Sequence, residues 1–147
     1  RRSDQTLDFD YAKVTEQSRD NPVFYVQYAH ARACSVLRQA PQADTAADLD
    51  RLTAPAEMAV IKALASWPRL VVSAALSHEP HRVAFFLTDL AAAFHSLWTA
   101  GREAPELRFI REDDAGLTAA RLCLVKATAL VIRSGLGVLS ITAREEM

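Results

Sequence analysis

Glycine is scarce in this chain of 147, with four occurrences, three of them late, and runs that alternate polar with apolar residues are scarce too. Alanine and leucine dominate instead, so the chain has strong helix formers and little from which to build strands. An all-α fold follows. Proline and the cap residues set the expected boundaries. A short helix is expected over "DFDYAKVTEQS", with Asp8 or Asp10 near its cap. Asn21-Pro22 starts the next, since proline suits a first helical turn, and Pro41 stops it after about Ala40. "PQADTAADLD" reads as an acidic connector. "TAPAEMAVIKALASW" is the following helix, capped near Thr53 with Glu57 early in it. Trp67-Pro68 is expected to break it, leaving "RLVVSAALSHE" as a separate helix. Glu79-Pro80 opens a longer one that ends at Gly101. After the charged loop "REAPELRFIREDDAG", a last helix ends at Gly135 or Gly137. The sum is an antiparallel helical bundle of about five or six helices, with no solenoid period.

The hydrophobic share of 50% and charged share of 24% indicate a globular domain with a core. No uninterrupted apolar run approaches the roughly 18 to 20 residues that span a bilayer, so no membrane partner is expected. The opening "RRSDQTLDFD" is polar and carries no signal-peptide pattern; starting at Arg1, the chain reads as a piece of a longer protein. Cys34 and Cys123 lack a CxxC partner and sit among apolar residues, which suggests reduced core thiols and a cytoplasmic location. The net charge of −1 supplies no global basic field. A polyanion would have to be recognised locally, by shape and stacking.

One helix face stands out. At about 100° per residue, Val23, Val26, Ala29, Ala33, Cys34 and Leu37 of "NPVFYVQYAHARACSVLR" form a core face. Tyr25, Tyr28, Arg32, Ser35 and Gln39 fall within an opposite arc of about 80°, with Gln27 and Arg38 on the flank. Rings that can stack, a guanidinium and amides suit unstacked bases. Half-buried tyrosines bonded to neighbouring helices would give the same pattern.

"LDFDYAKVTEQSRDNPVFYVQYAHARACSVLRQA" closely resembles the segment that follows the catalytic domain in bacterial arginyl-tRNA synthetases, where an "FDFD"-like stretch leads into an "NP-x-x-YVQYAHAR-x-x-S" helix. "SHEPHRVAFFLTDLAAAFHSLW" is similar to the family's PH-x-x-x-YL-x-x-LA-x-x-F helix, and "LTAARLCLVKATALVIRSGLGVLSITAREEM" to its last helix and terminal Met. The resemblance covers essentially the whole chain. It implies a DALR-type anticodon-binding bundle of the class I synthetase type over residues 21–147, with residues 1–20 the tail of a connecting module. The implied function is recognition of the anticodon loop of arginine-accepting tRNA, within an arginine–tRNA ligase that uses ATP with magnesium. The HIGH-like and KMSKS-like signatures are absent, so no catalytic residue, metal or cofactor is expected here, and the segment alone should be inactive. The catalytic domain of the same chain is the implied second partner, in a monomeric protein. Three positions depart from the family pattern: the naming motif stands as "AGLT" at 115–118, Phe86 replaces a Tyr, and Ser140 replaces a Gly.

The resemblance makes Tyr25, Gln27, Tyr28, His30, Arg32 and Met147 the candidate tRNA-binding residues. Tyr25, Tyr28 and Arg32 also lie on the open arc. Gln27 and His30 sit on the flank or nearer the core, where buried hydrogen bonds are an alternative role. Met147 would pack its thioether under a base. Arg108 and Arg111 are surrounded by Glu103, Glu106 and Glu112 and read first as solvated ion pairs. Two other functions compete. His78, His81, Asp89 and His95 suggest a metal bundle, but Pro80 separates the first two and the Glu-x-x-His pattern is missing. A helical protein-interaction module without tRNA binding is the other alternative.

Overall fold

The computed structural model describes residues 16, 18, 20–40 and 46–147. The short helix expected over "DFDYAKVTEQS", most of the 1–20 segment and Pro41 lie outside the described residues. Among those described, four α-helices and no strand are found: α1 (Pro22–Gln39), α2 (Pro55–Leu76), α3 (His81–Glu103) and α4 (Ala115–Val138), with 3-10 turns at Leu49–Arg51 and Pro105–Leu107.

Helix starts follow the sequence signals. The Asn21 side chain accepts from the amides of Val23 (3.1 Å) and Phe24 (3.4 Å), with Pro22 in the first turn. Ala54 rather than Thr53 takes the cap position of α2, and Glu57 receives the Ala54 amide at 3.0 Å. Asp114 caps α4 through Leu117, also at 3.0 Å.

Helix ends differ from expectation. Trp67-Pro68 does not break the chain: α2 runs through Pro68. Pro68 is exposed, on a side of the helix where its ring can be carried at the cost of one backbone hydrogen bond. Gly101 and Gly135 are not stops either. A Cβ at Gly101 would stand 2.9 Å from the Leu107 carbonyl oxygen, and one at Gly135 would stand 2.7 Å from a Leu87 methyl. Both glycines permit close approach. α2 and α4 close instead with the same double bond pattern. Glu79 N–H reaches the Ala74 carbonyl and His78 N–H that of Ala75; Ile141 reaches Leu136 and Ser140 reaches Gly137. The residue at the turn has a left-handed backbone in both, His78 at φ 54° and Ser140 at φ 59°.

The helices run up, down, up and down. A short turn reverses α2 into α3. Gly135, late in α4, meets Leu87, early in α3, which sets these two antiparallel. Tyr25 and Arg32 of α1 meet His95 and Trp98 of α3 in the same order, so α1 and α3 run parallel. The core sits between them: Val26, Ala29 and Ala33 from α1, Leu90, Phe94 and Leu97 from α3, Val125 and Ile132 from α4. After α4 the chain turns back at Ser140, and residues 141–147 lie along α1. Gln27 Nε2 donates to the Thr142 carbonyl (2.9 Å) and Arg38 Nη1 to that of Glu145 (3.2 Å).

Two composition-based expectations need correction. Cys34 is buried, but Cys123 is exposed. Three helices, α2, α3 and α4, are long and apolar enough to cross a membrane by length and composition. The uninterrupted-run criterion misses them because scattered polar residues interrupt the runs without lowering the average enough. α3 and α4 turn much of their apolar surface into the bundle, whereas only 11% of the apolar window of α2 is buried. Val72 and Leu76 of α2 consequently stand on the outside, as does Phe85 at the start of α3.

Candidate nucleic-acid interface

The arc of α1 forms a surface completed by α3, with Tyr28 and Gln39 exposed and Tyr25, Arg32 and Ser35 half-buried. Val23, expected on the core face, is instead 43% exposed, because it lies at the outer end of the helix. Arg32 is central. Its guanidinium carbon lies 4.5 Å from the centroid of the Tyr28 ring and 4.6 Å from that of Trp98. Nη2 donates to Tyr28 Oη at 2.7 Å, and Nη1 lies 3.0 Å from His95 Nδ1. Arginine has only donors, so His95 Nδ1 must be the unprotonated acceptor, and Nε2–H faces the Tyr25 carbonyl at 3.4 Å. His95 is held neutral: burial pushes its pKa down, the Tyr25 carbonyl opposes this, and Arg32 lowers it further. The imidazole stacks on Tyr28 (5.6 Å between centroids) and tilts against Tyr25 (4.6 Å), while Phe24 stacks on the far side of the group at 6.3 Å from Tyr28. The result is a fixed aromatic wall with a guanidinium set in it. Its ring contacts are of the kind worth about 0.5–2 kcal/mol each.

Two concavities flank this wall. One of ≈ 560 Å³ is lined by Phe24, Tyr25, Tyr28, Arg32 and His95, with Ser96 and Thr99 supplying hydroxyls. The other, ≈ 460 Å³, has Tyr28, Arg32, Ser35, Arg38, Trp98 and Met147 around it. The structure therefore brings Tyr25, Tyr28, Arg32 and Met147 into one surface. The largest hollow, ≈ 650 Å³ beside Cys123, is lined almost wholly by apolar side chains and lacks converging polar groups.

The other two candidates are placed differently. His30 is fully buried, and its Nδ1–H donates to the Arg144 carbonyl at 2.7 Å. It belongs to the core, out of reach of a macromolecular ligand, which corrects its place among the contact residues. Gln27 is half-buried with its amide spent on Thr142. Both side chains fasten the C-terminal tail to α1, and that tail brings Met147 to the site. Of the loop arginines, Arg111 is ion-paired as expected, though with Asp113 rather than with Glu103, Glu106 or Glu112, whereas Arg108 has no ion-pair partner among the described residues. Trp98 is a site residue that the sequence reading does not single out, and His95 enters that reading only as part of the metal alternative. Their spacing of three on a helix that also carries Phe94 is the available signal, but only packing shows that they face α1. Among the described residues no group of three metal-ligating side chains exists.

The family model described as the DALR anticodon binding domain matches residues 26–147. The curated arginine–tRNA ligase of Rhodospirillum rubrum is 55% identical over the whole of this chain, which spans 27% of that protein's length. The ligase of Rhizobium meliloti is 54% identical with the same coverage. Among solved structures, Thermus thermophilus arginyl-tRNA synthetase superposes at TM-score 0.73 and 34% identity over 95% of this chain and 23% of its own. A Campylobacter jejuni structure, at TM-score 0.78 and 20% identity over 100% of this chain and 31% of its own, shares the fold. With most of its length matched by that family model, the chain belongs to the DALR anticodon binding domain family.

Proposed function

We propose that this chain is the anticodon-reading bundle of an arginine–tRNA ligase and that the Tyr28–Arg32–Trp98 wall is where unstacked anticodon bases are seated. The observation that carries this reading is the guanidinium clamped between two rings on the open face of a bundle belonging to the anticodon-binding family. The rings offer stacking platforms in the two flanking concavities. Arg32, its faces covered and two of its donors fixed, presents its remaining N–H edge to base acceptors, and Ser96, Thr99 and Ser35 add hydroxyls. Met147 lines the second concavity beside Trp98 with a soft apolar surface.

The chain spans 27% of the length of the curated relatives. Aminoacylation belongs to the remainder, which would bring ATP with magnesium, and the bundle alone is inactive. In the whole protein, a cytoplasmic monomer, energy from anticodon binding would position the distant 3′ end for reaction. A helical interaction module that ignores tRNA is the competing function; the outward apolar residues of α2 favour it.

The test is titration of the chain with an arginine-tRNA anticodon stem-loop and with the same hairpin carrying changed anticodon bases, at two salt concentrations. Weaker binding of the changed hairpin is expected. Tyr28→Ala should weaken binding of the cognate hairpin by about 1–3 kcal/mol, the range for one base–aromatic stack. Arg32→Lys keeps the charge but loses the planar fork, so it should cost base discrimination more than low-salt affinity. Equal, strongly salt-dependent binding of both hairpins would leave only phosphate attraction.

A further inference from the structure

Beyond Trp98 lies a third concavity, ≈ 420 Å³, between the ends of α1 and α3, lined by Gln39, Trp98, Arg102, Arg108, Phe109 and Ile110. It shares Trp98 with the concavity that holds Met147, which in turn shares Tyr28 and Arg32 with the first. The three form one track along the α1–α3 groove. We propose that RNA follows this track past Trp98 and that Arg102 and Arg108 hold its phosphodiester groups, a proposal that rests on the anticodon-loop reading.

Three observations support a built groove. Gly101 lets the segment after α3 fold back so closely that a side chain there would strike the Leu107 carbonyl, and this brings Arg108 to the same groove as Arg102. The backbone carrying Arg108 is anchored from beneath: Arg121 Nη1 donates to the carbonyls of Glu106 (2.7 Å) and Arg108 (2.8 Å), and Arg121 is itself held by buried Glu57 at 2.7 Å. Finally, Arg102 and Arg108 are exposed without an ion-pair partner among the described residues. Arg51, Arg111 and Arg38 are by contrast paired with Asp114, Asp113 and Glu146, and Arg69, which is also without an ion pair among the described residues, lies on α2 away from this groove. Glu103 and Glu106 are chain neighbours of the two arginines and are exposed, but neither lines the concavity that holds Arg102 and Arg108. The acid on the track is Glu146, in the middle concavity, where it pairs with Arg38.

Phosphate contacts position a nucleic acid without reading it, so this groove should act on affinity and salt dependence alone. The experiment compares the chain with its Arg102→Gln/Arg108→Gln variant and with Lys62→Gln/Arg69→Gln, which removes two exposed cations from α2. Circular dichroism checks helicity, and affinities for the cognate and altered hairpins are measured across a salt series. Loss of two single-strand phosphate contacts should reduce the slope of log K against log salt by about 1.4 in the Arg102/Arg108 variant. Its cognate-to-altered ratio should stay unchanged, and the Lys62/Arg69 variant should keep the original slope. An unchanged slope in the Arg102/Arg108 variant, or equal losses in both variants, would overturn the groove while leaving the anticodon reading intact. So would lost base discrimination, which would make these residues readers. If the unsubstituted chain binds no hairpin, the anticodon reading itself falls and this inference falls with it.

Discussion

His95 shows how one side chain couples the candidate surface to pH. Its Nδ1 accepts from Arg32 only while unprotonated, and burial, with Arg32 alongside, depresses its pKa below the ordinary value for histidine. As pH falls through about 6.5, the unfolded chain takes up this proton before the folded one does. The stability contributed by neutral His95 is therefore complete above that pH and declines below it, until the depressed folded pKa is passed. Protonation would also set two cations against each other in the wall. Thermal unfolding midpoints measured between pH 7.5 and 5 should fall in the parent chain and fall less in His95→Gln. The two proteins differ only at residue 95, so the difference between their declines isolates His95. A parallel decline in the two would mean that the Arg32–His95 bond carries no such linkage. At this scale the sequence is informative for α1 and silent about α3. A helical projection separates Tyr25, Tyr28 and Arg32 from the core, but it contains nothing about which residues of another helix arrive opposite. His30 escapes it for a related reason: a tail that folds back over the flank of α1 is invisible to a projection of α1 alone.

Element boundaries are legible where one residue's own chemistry decides them, as at Asn21-Pro22, whose cap bonds are local. They are less legible where tertiary contacts decide. Gly101 and Gly135 look like helix stops and instead admit a loop and a leucine, while Pro68 looks like a break and stands on an exposed side where a helix can carry it. The real stops, His78 and Ser140, carry no glycine signal although their backbone is left-handed. For Ser140, the position where the resembled family has Gly, the structure supplies the physical reason for that glycine. An L residue there costs roughly 1–2 kcal/mol, partly offset by the extra freedom glycine gives the unfolded chain. Ser140→Gly should therefore stabilise the chain by about 0.5–1 kcal/mol. Urea unfolding should show this as a higher midpoint at constant slope. A lower midpoint would mean that the serine makes a compensating contact in solution.

For the molecule as a whole, the all-α bundle is readable from glycine scarcity and helical periodicity, whereas the number of helices is not, because the Pro68 break does not occur. Nor does composition show what ties the ends of the bundle together. Glu57 and Arg121 form a buried ion pair with side chains 2% and 5% exposed. Glu57 also accepts the amide of Ala54, the cap residue of α2, and Arg121 holds the carbonyls of Glu106 and Arg108. One pair thus joins the start of α2, the start of α4 and the segment after α3. Replacing such a pair by apolar residues can be neutral, but removing one partner leaves a charge buried without compensation. Glu57→Ala should cost about 3–5 kcal/mol. That is a large fraction of the roughly 5–15 kcal/mol that keeps a domain folded. Glu57→Gln keeps one acceptor oxygen, enough for Arg121 Nε or the Ala54 amide but not for both as they are now placed on separate oxygens, and it should cost less than Glu57→Ala. Lys62→Ala on the exposed side of the same helix should stay within about 0.5 kcal/mol. Denaturant unfolding of the three variants orders them. If Glu57→Ala proved no worse than Lys62→Ala, Arg121 would have to reach water in the variant, and the pair would not be what holds this end of the bundle closed.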